Sequence, residues 1–456
     1  MKIVLIGPPG SGKGTQAELM SKKMNFFLIS PGNIFRWHIK NKTELGEKIK
    51  KVIEKGELVS DEIVNQIIKK EIETKENYIL DGYPRNLNQA KFLDLITEID
   101  YVLEIWISDQ EALRRLTLRR VCQCGKTYHL IYNPPKKDEI CDECKRKLFI
   151  RDDDKKENVI KRLKIYHQET EPLLDYYQKK STVIKINGQQ PIQDVFEEII
   201  KKINLIKTKK EIEKMRKGGK ILSEILKTLK REIKPGVSTK KIEFLARDLI
   251  KKFKAKPAFL GYKNEKHQKP FPTALCLSLN HELVHTPSLP ERIIKDKDLV
   301  TIDCGIEFEN YFTDSAISFG VGNISPLAKK LIKVTEKALY LAIKKIKPGI
   351  FWGDVASSIQ RFVEKNGFSV VRDLTGHGVG RKLHEEPPLP NFGQPKTGIK
   401  LEENMTLAIE PMVTAGSHKI EILSDNWTVV TKDRSLSAHF EHTIAILKTK
   451  AEILTL

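Results

Sequence analysis

Four acidic residues and one histidine in the second half of the chain each interrupt or border an apolar, strand-like run. They are Asp303 in Val-Thr-Ile-Asp-Cys-Gly, Asp314 in Tyr-Phe-Thr-Asp-Ser, His377 in Gly-His-Gly-Val-Gly, Glu410 in Leu-Ala-Ile-Glu-Pro and Glu441 in Phe-Glu-His-Thr. A carboxylate inside an apolar strand is costly unless it is paired or metal-bound. A lysine partner would account for any one of them; all five together point to a buried metal centre. Four carboxylates and one imidazole suit a pair of hard or borderline divalent ions, such as Mn²⁺, Fe²⁺ or Co²⁺. A pair of that kind lowers the pKa of a bridging water and polarises a carbonyl, which is the chemistry of amide hydrolysis.

The first half carries a different chemistry. Gly7-Pro-Pro-Gly-Ser-Gly-Lys13-Gly-Thr15 follows an apolar run and precedes a helical pattern. Glycines leave backbone N–H groups open to phosphate oxygens, the helix start adds positive potential, and one lysine reaches the terminal phosphates. Phosphoryl transfer also needs positive charge on both donor and acceptor. Candidates are Arg36 in Ser30-Pro-Gly-Asn33-Ile-Phe-Arg36, Arg85 in Asp81-Gly-Tyr-Pro-Arg85, and Arg115, Arg119, Arg151 and Arg162. Each alone would read as a surface residue; with the glycine loop they read as a closing clamp. Between them lie Cys122-x-Cys124 and, sixteen residues on, Cys141-x-x-Cys144. Four thiolates suit a structural, tetrahedral Zn²⁺ that stiffens a segment too small to have a core. A disulfide or four unrelated thiols are the alternatives.

These groups need elements to hold them. Strand signals at Lys2–Ile6, Tyr78–Leu80, Tyr101–Trp106 and Thr182–Ile186 alternate with helical patterns near 13–24, 60–73, 86–96, 109–119 and 157–179. That alternation predicts a parallel sheet covered on both faces. Residues 120–152, with the cysteines and Pro134-Pro135, read as an insertion. Near Leu205 the rhythm changes to two basic amphipathic helices, about 208–231 and 238–253. Strand-rich sequence follows, with helices near 325–347 and 353–366. The lysine-rich stretch Lys201–Lys210 reads as a short polar seam between two domains joined almost directly.

At 456 residues the chain is too long for one ordinary domain, and its 40% apolar and 31% charged composition is that of a soluble globular protein. No run approaches the ~18 apolar residues of a membrane span, and the start of the chain lacks a signal-peptide core. Six cysteines are too few for a disulfide framework in a chain this size, so a reducing, cytoplasmic setting is expected. The formal charge of +20 is uneven: 37 basic against 31 acidic residues in 1–205, and 43 against 29 in 206–456. Anionic partners are one reading, nucleotides for the first half and RNA for the second. A lysine-rich solvated surface is the plainer one.

From the glycine loop to Ile186-Asn-Gly188, residues 1–204 resemble an adenylate kinase of the long, lid-bearing bacterial type, with the lid at about 120–156. The resemblance implies that Gly10, Ser11, Gly12, Lys13, Gly14 and Thr15 hold ATP, with Arg119, Thr127, Tyr128 and the backbone at Gln190. It assigns Pro31, Arg36, Glu57, Leu58, Val59, Gly82, Tyr83, Pro84, Arg85 and Gln89 to AMP. Arg151 and Arg162 bridge donor and acceptor, and Asp81 holds the water shell of the Mg²⁺ that accompanies ATP. Lys13, Arg85, Arg119, Arg151 and Arg162 are the implied catalytic groups. The sequence departs from the family at Pro31 and Asn33, where Thr and Asp are usual, and in having Cys-x-Cys where Cys-x-x-Cys is general.

Residues 205–456 resemble a type I methionine aminopeptidase, opening with Ile206-Lys-Thr208 and Glu211-Ile-Glu-Lys-Met-Arg-Lys217. This implies an α+β "pita-bread" fold in which Asp303 chelates one ion. His377 and Glu410 then bind the other, and Asp314 and Glu441 bridge the two. His285 contacts the scissile amide, His384 stabilises the oxyanion, and Glu410 doubles as proton shuttle. The methionine pocket includes Cys276, Trp427 and Tyr262. Here the departures are Leu383, where an aromatic is common, and an expanded 263–271 segment. The expected protein is bifunctional: it interconverts ATP and AMP with two ADP, and removes initiator methionine from nascent chains, with the ribosome as a further partner. The alternative is a monophosphate kinase of relaxed specificity fused to a ribosome-associated binding module with little peptidase activity.

Overall fold

The computed structural model describes residues 1–54, 59–263 and 269–456. Glu57, Leu58 and the middle of the 263–271 segment therefore lie outside the described residues. The chain divides into two compact units, Met1–Ile203 and Asn204–Leu456.

In the first unit, Ile3, Val4, Leu5 and Ile6 are all buried. An apolar run without alternation is what a strand covered on both faces requires. It is the central strand of a five-stranded parallel sheet in the order Phe27–Ile29, Tyr78–Asp81, Lys2–Ile6, Tyr101–Trp106, Thr182–Asn187. The winding reverses beside Lys2–Ile6, so a crevice opens at its carboxyl end, where the glycine loop begins. Phe27–Ile29 is too short to give a sequence signal.

Two expectations are corrected in this part of the chain. The 157–179 helix is interrupted: Lys156–Ile165 passes into a wide turn at Tyr166–Thr170 before Leu173–Lys180. Pro172 has no N–H to continue the regular ladder, and Glu171 N–H bonds back five residues to Tyr166 O at 2.9 Å. The lysine-rich stretch is not simply a polar seam. Helix Ile192–Leu205 runs into it, and Lys207 is only 1% exposed, its ammonium 2.7 Å from Glu385 Oε2 and 3.0 Å from Asn204 O.

The second unit is built on an antiparallel sheet whose middle strands are Thr375–Gly378, Thr406–Ile409, Glu441–Ile446, Tyr311–Gly320 and Leu299–Phe308, in that order. Alternation separates the two faces of Leu299–Phe308. Val300, Ile302, Cys304 and Ile306 pack against Leu222, Ile225, Leu226 and Leu229 of helix Lys209–Glu232, and against Ile242, Ala246 and Ile250 of helix Thr239–Lys252. Asp303 and Gly305 consequently point to the other side.

Helix Lys209–Glu232 is anchored at its start by a reciprocal cap. Thr208 N–H donates to Glu211 Oε2 at 2.6 Å, and Glu211 N–H donates to Thr208 Oγ1 at 3.2 Å. The same carboxylate takes Arg381 Nε at 2.6 Å and Nη2 at 2.9 Å. Glu211→Ala takes the carboxylate away from both the guanidinium and the cap donor, leaving Arg381 the carbonyls of Asn204 and Ile206. It is expected to lower the unfolding free energy of this unit by about 2–4 kcal/mol. Calorimetry would contradict that expectation if the variant melted within about 1 °C of the parent.

Candidate functional sites

The glycine loop of the first unit reverses sharply enough that Gly10 and Gly12 take positive φ (81° and 89°), and Gly12 caps helix Lys13–Met24. A side chain at Gly10 would also press on Leu116 and on Ala112 O at about 3 Å. Lys13 folds back over the loop, donating to Gly7 O at 2.5 Å and Pro8 O at 2.9 Å. Burial brings its pKa down to about 8; Arg85 and Arg162 push the same way, and Asp81 opposes them. These four groups therefore share one electrostatic neighbourhood. Arg36 also acts on Arg85, and Arg36 and Arg119 on Arg151, so five of the six expected arginines converge, whereas Arg115 pairs with Glu111 Oε1 at 2.7 Å.

One buried acid organises part of this cluster. Asp154, 1% exposed, accepts Arg119 Nε at 2.7 Å and Nη2 at 2.5 Å, and lies 3.5 Å from Arg162 Nη1. Sequence reasoning passed over it because Asp152-Asp-Asp reads as a solvated charge run. Arg36 donates to Asn33 Oδ1, so Asn33 serves as an arginine partner despite the missing charge. Pro31 opens helix Pro31–Lys40, and Val59 packs on the core. Tyr83 is buried with its hydroxyl 2.6 Å from Asn65 Oδ1. Gln89 Oε1 accepts Arg85 N–H at 2.8 Å, while its Nε2 donates to Asp61 Oδ1 at 2.6 Å. Gln190 Nε2 donates to Glu198 Oε2 at 2.5 Å and to Asn187 O at 3.1 Å.

Cys122, Cys124, Cys141 and Cys144 bring one sulfur each to within 4.8 Å of the others. Tight turns present them: Gly125 N–H bonds to Cys122 O, and Lys145 N–H to Cys141 O. The Cys-x-Cys spacing is therefore compatible with convergence. Thr127 is exposed, but Tyr128 is buried against the cysteines, its hydroxyl 3.5 Å from Cys141 Sγ. Cys141 is drawn down to about 6 by N–H donation from Cys144, aided by the Tyr128 hydroxyl.

In the second unit, register decides the site. Asp303 pairs with Ala316, and Ala316 with Glu441 on the next strand; Asp314 pairs with Gly305. His377 pairs with Ala408, and Glu410 lies two residues beyond Ala408. Paired residues share a face, so all five expected ligands are brought to one side with Gly305, Ala316 and Ala408 leaving space between them. Donor atoms of Asp314, His377 and Glu441 lie within 4.8 Å of one another, and His377 Nε2 is 3.6 Å from Glu410 Oε1. Gly378 lets the adjacent strand Glu385–Pro390 approach, since a Cβ there would stand 2.1 Å from Glu386 O.

The electrostatics are one-sided. Asp303, Glu410 and Glu441 are all raised well above ordinary carboxylates, first by burial and then by one another or by Asp314. Asp314 is raised to about 7, also by burial. Asp303 Oδ1 and Glu441 Oε1 are buried with no hydrogen-bond partner. Orphaned anionic oxygens facing one another fit divalent cations and little else. His377 Nδ1 lies 2.8 Å from Gly378 O, which leaves Nε2 as the ligating atom. Burial lowers the His377 pKa to about 4, so the imidazole is neutral.

Around this centre stand His285, in a left-handed conformation (φ 56°), and His384, whose ring lies 4.4 Å from that of His377. Cys276, Trp427, Tyr262 and Leu383 gather with Phe259 and Phe271 into one apolar cluster beside Asp303, the strand partner of Cys276. His439, 3.4 Å from Glu410 Oε2 and fully buried, was not anticipated; its only signal was the Phe-Glu-His context that follows it.

Comparison with known proteins bears on both units. Residues 5–182 match the family described as adenylate kinase, and residues 213–448 match metallopeptidase family M24. The adenylate kinase of Methanothrix thermoacetophila is 49% identical over 44% of this chain and 97% of its own length. The methionine aminopeptidase of Clostridium perfringens is 47% identical over 55% of this chain and 98% of its own. The chain belongs to both families. It joins an adenylate kinase to a methionine aminopeptidase. The crystal structure of the Thermotoga maritima methionine aminopeptidase superposes on the peptidase unit with a TM-score of 0.53 at 46% identity, covering 55% of this chain and 98% of that one. The α/β kinase and pita-bread expectations hold.

Proposed function

We propose that the kinase unit exchanges a phosphoryl group between ATP and AMP through Lys13, Arg85, Arg119, Arg151 and Arg162. The carrying observation is their convergence at the glycine loop with few opposing acids. Lys13, held by loop carbonyls, has only to trade them for phosphate oxygens of Mg²⁺-bound ATP. The arginines then neutralise donor and acceptor, and Asp154 keeps Arg119 and Arg162 oriented. Lys13→Ala is expected to cut ADP formation roughly a thousandfold while leaving peptide cleavage intact. Assays of both reactions on one preparation check it, and joint loss would contradict independent catalysis.

In the lid, the four sulfurs support a structural Zn²⁺ closed to substrate. Elemental analysis should find a lid zinc in the parent and lose one equivalent per chain in Cys141→Ser, and the substitution should lower the melting temperature of the kinase unit. Zinc retained in the variant would contradict the ligand set.

The peptidase unit, in the same proposal, removes the N-terminal methionine of nascent chains. The five clustered donors hold two divalent cations, Mn²⁺, Fe²⁺ or Co²⁺, which supply Lewis acidity and an activated water. The methionine side chain enters the cluster of Cys276, Trp427, Phe259 and Phe271. Glu410 takes a proton from the water and passes it to the leaving amine. Tyr262, its phenol kept protonated by burial, stands 2.7 Å from His384 Nδ1. When the phenol donates to Nδ1, the proton of the neutral ring sits on Nε2, the donor an oxyanion requires. His285 addresses the scissile amide. The six free cysteines, and the absence among the described residues of any helix long and apolar enough to cross a membrane, support a cytoplasmic setting. The excess of basic residues in 206–456 supports contact with ribosomal RNA.

Asp314→Asn should remove peptidase activity and at least one bound ion, as measured by elemental analysis. In the parent, carboxylates must lose protons before they can ligate. With Asp314 titrating near 7, affinity for Mn²⁺ should climb between roughly pH 5.5 and 7.5, with proton release on binding. Flat affinity across that range would contradict the assignment.

A further inference from the structure

Gln89 is the group assigned above to the AMP base, and its amide is not free to rotate. A side-chain amide has one donating and one accepting end, and turning it over exchanges them. Here both ends meet partners that admit only one orientation. Arg85 N–H can only donate, and it meets Oε1 at 2.8 Å. The Asp61 carboxylate accepts, and it meets Nε2 at 2.6 Å.

Asp61 is itself held. It opens helix Asp61–Ile72, and Asn86 Nδ2 reaches its two oxygens at 3.2 and 3.1 Å. Asn86 Oδ1 in turn accepts Gln89 N–H at 2.9 Å, capping helix Leu87–Ile96. Two helix starts are thus tied into one ring of hydrogen bonds closed through the Gln89 side chain. Gln89 is 6% exposed, so an amide turned the wrong way would bury unpaired groups.

After these bonds the amide keeps one N–H and one oxygen lone pair. A 6-aminopurine presents the complement, a ring acceptor at N1 beside an amino donor. A 6-oxopurine presents the reverse, a ring N–H beside a carbonyl, and an amide turned over would read that instead. We propose that Asp61 is a specificity-determining, positioning residue: by locking the Gln89 amide it makes the monophosphate site accept 6-aminopurine and reject 6-oxopurine nucleotides. This rests on the reading of Gln89 as the base contact.

The test compares AMP with IMP, which differ only at that edge, in the full-length protein. Asp61→Asn keeps the shape but can donate as well as accept, so of the two constraints only the Arg85 N–H still opposes a turned-over amide. KM for AMP should rise and the AMP-to-IMP ratio of kcat/KM should fall by roughly tenfold or more. KM for ATP and the AMP-saturated kcat should stay near the parent's. An unchanged ratio in Asp61→Asn would overturn the proposal. So would a fall in which KM for ATP and melting temperature change in step, because that is general loosening. Asp61→Glu, which restores an acceptor-only partner, should recover most of the discrimination; failure to do so also counts against the lock. Gln89→Leu separates the two layers. If it leaves the ratio intact, Gln89 is not the base contact and the underlying reading fails. If it collapses the ratio while Asp61→Asn does not, only the lock fails.

Discussion

Uncompensated like charge, buried on one face of a sheet, is the constraint around which the peptidase unit is organised. Burial and then neighbouring carboxylates raise the pKa of Asp303, Glu410 and Glu441, burial raises that of Asp314, and two of their oxygens are buried without a hydrogen-bond partner. Burying such a set costs several kcal/mol per ion unless cations answer it. The rest of the unit makes that burial possible. Gly305, Ala316 and Ala408 stand between the ligands, and the helices Lys209–Glu232 and Thr239–Lys252 press an apolar sheet face from behind. Arg381–Glu211 and Lys207–Glu385 tie down the turn that carries His384.

The kinase unit applies the same logic with the sign reversed. Lys13 and five arginines crowd a crevice in which burial and mutual repulsion depress Lys13, Arg85 and Arg151. Asp81 and Asp154 offset only part of this. A polyphosphate is the natural complement, just as divalent cations complement the acidic centre. Each unit therefore carries an electrostatic imbalance that its cofactor or substrate resolves, and each keeps the imbalance at the edge of a well-packed sheet, where geometry is rigid.

Much of this was legible along the chain. Glycines before Lys13, acids within apolar strands and paired cysteines are local signals, because the chemistry they serve restricts residue type at fixed spacing. The buried partners were not legible. Asp154 looks like any member of an acidic run, Lys207 like any lysine in a basic stretch, and His439 like a residue beside a better-marked glutamate. Nothing in their own neighbourhoods shows that a distant arginine, Glu385 or Glu410 stands opposite. The break at Pro172 had a local cause in its missing N–H, yet the wide turn that accommodates it depends on how Tyr166 and Leu173 pack.

Residue type and spacing by themselves pointed to the two chemistries, most of the element pattern and the candidate metal and phosphate ligands, because those depend on functional groups and short-range periodicity. Strand register, the face each ligand occupies and the orientation of the Gln89 amide were decided only by tertiary structure. Such features depend on pairings across tens to hundreds of residues, where one step of slip would turn every ligand to the opposite face.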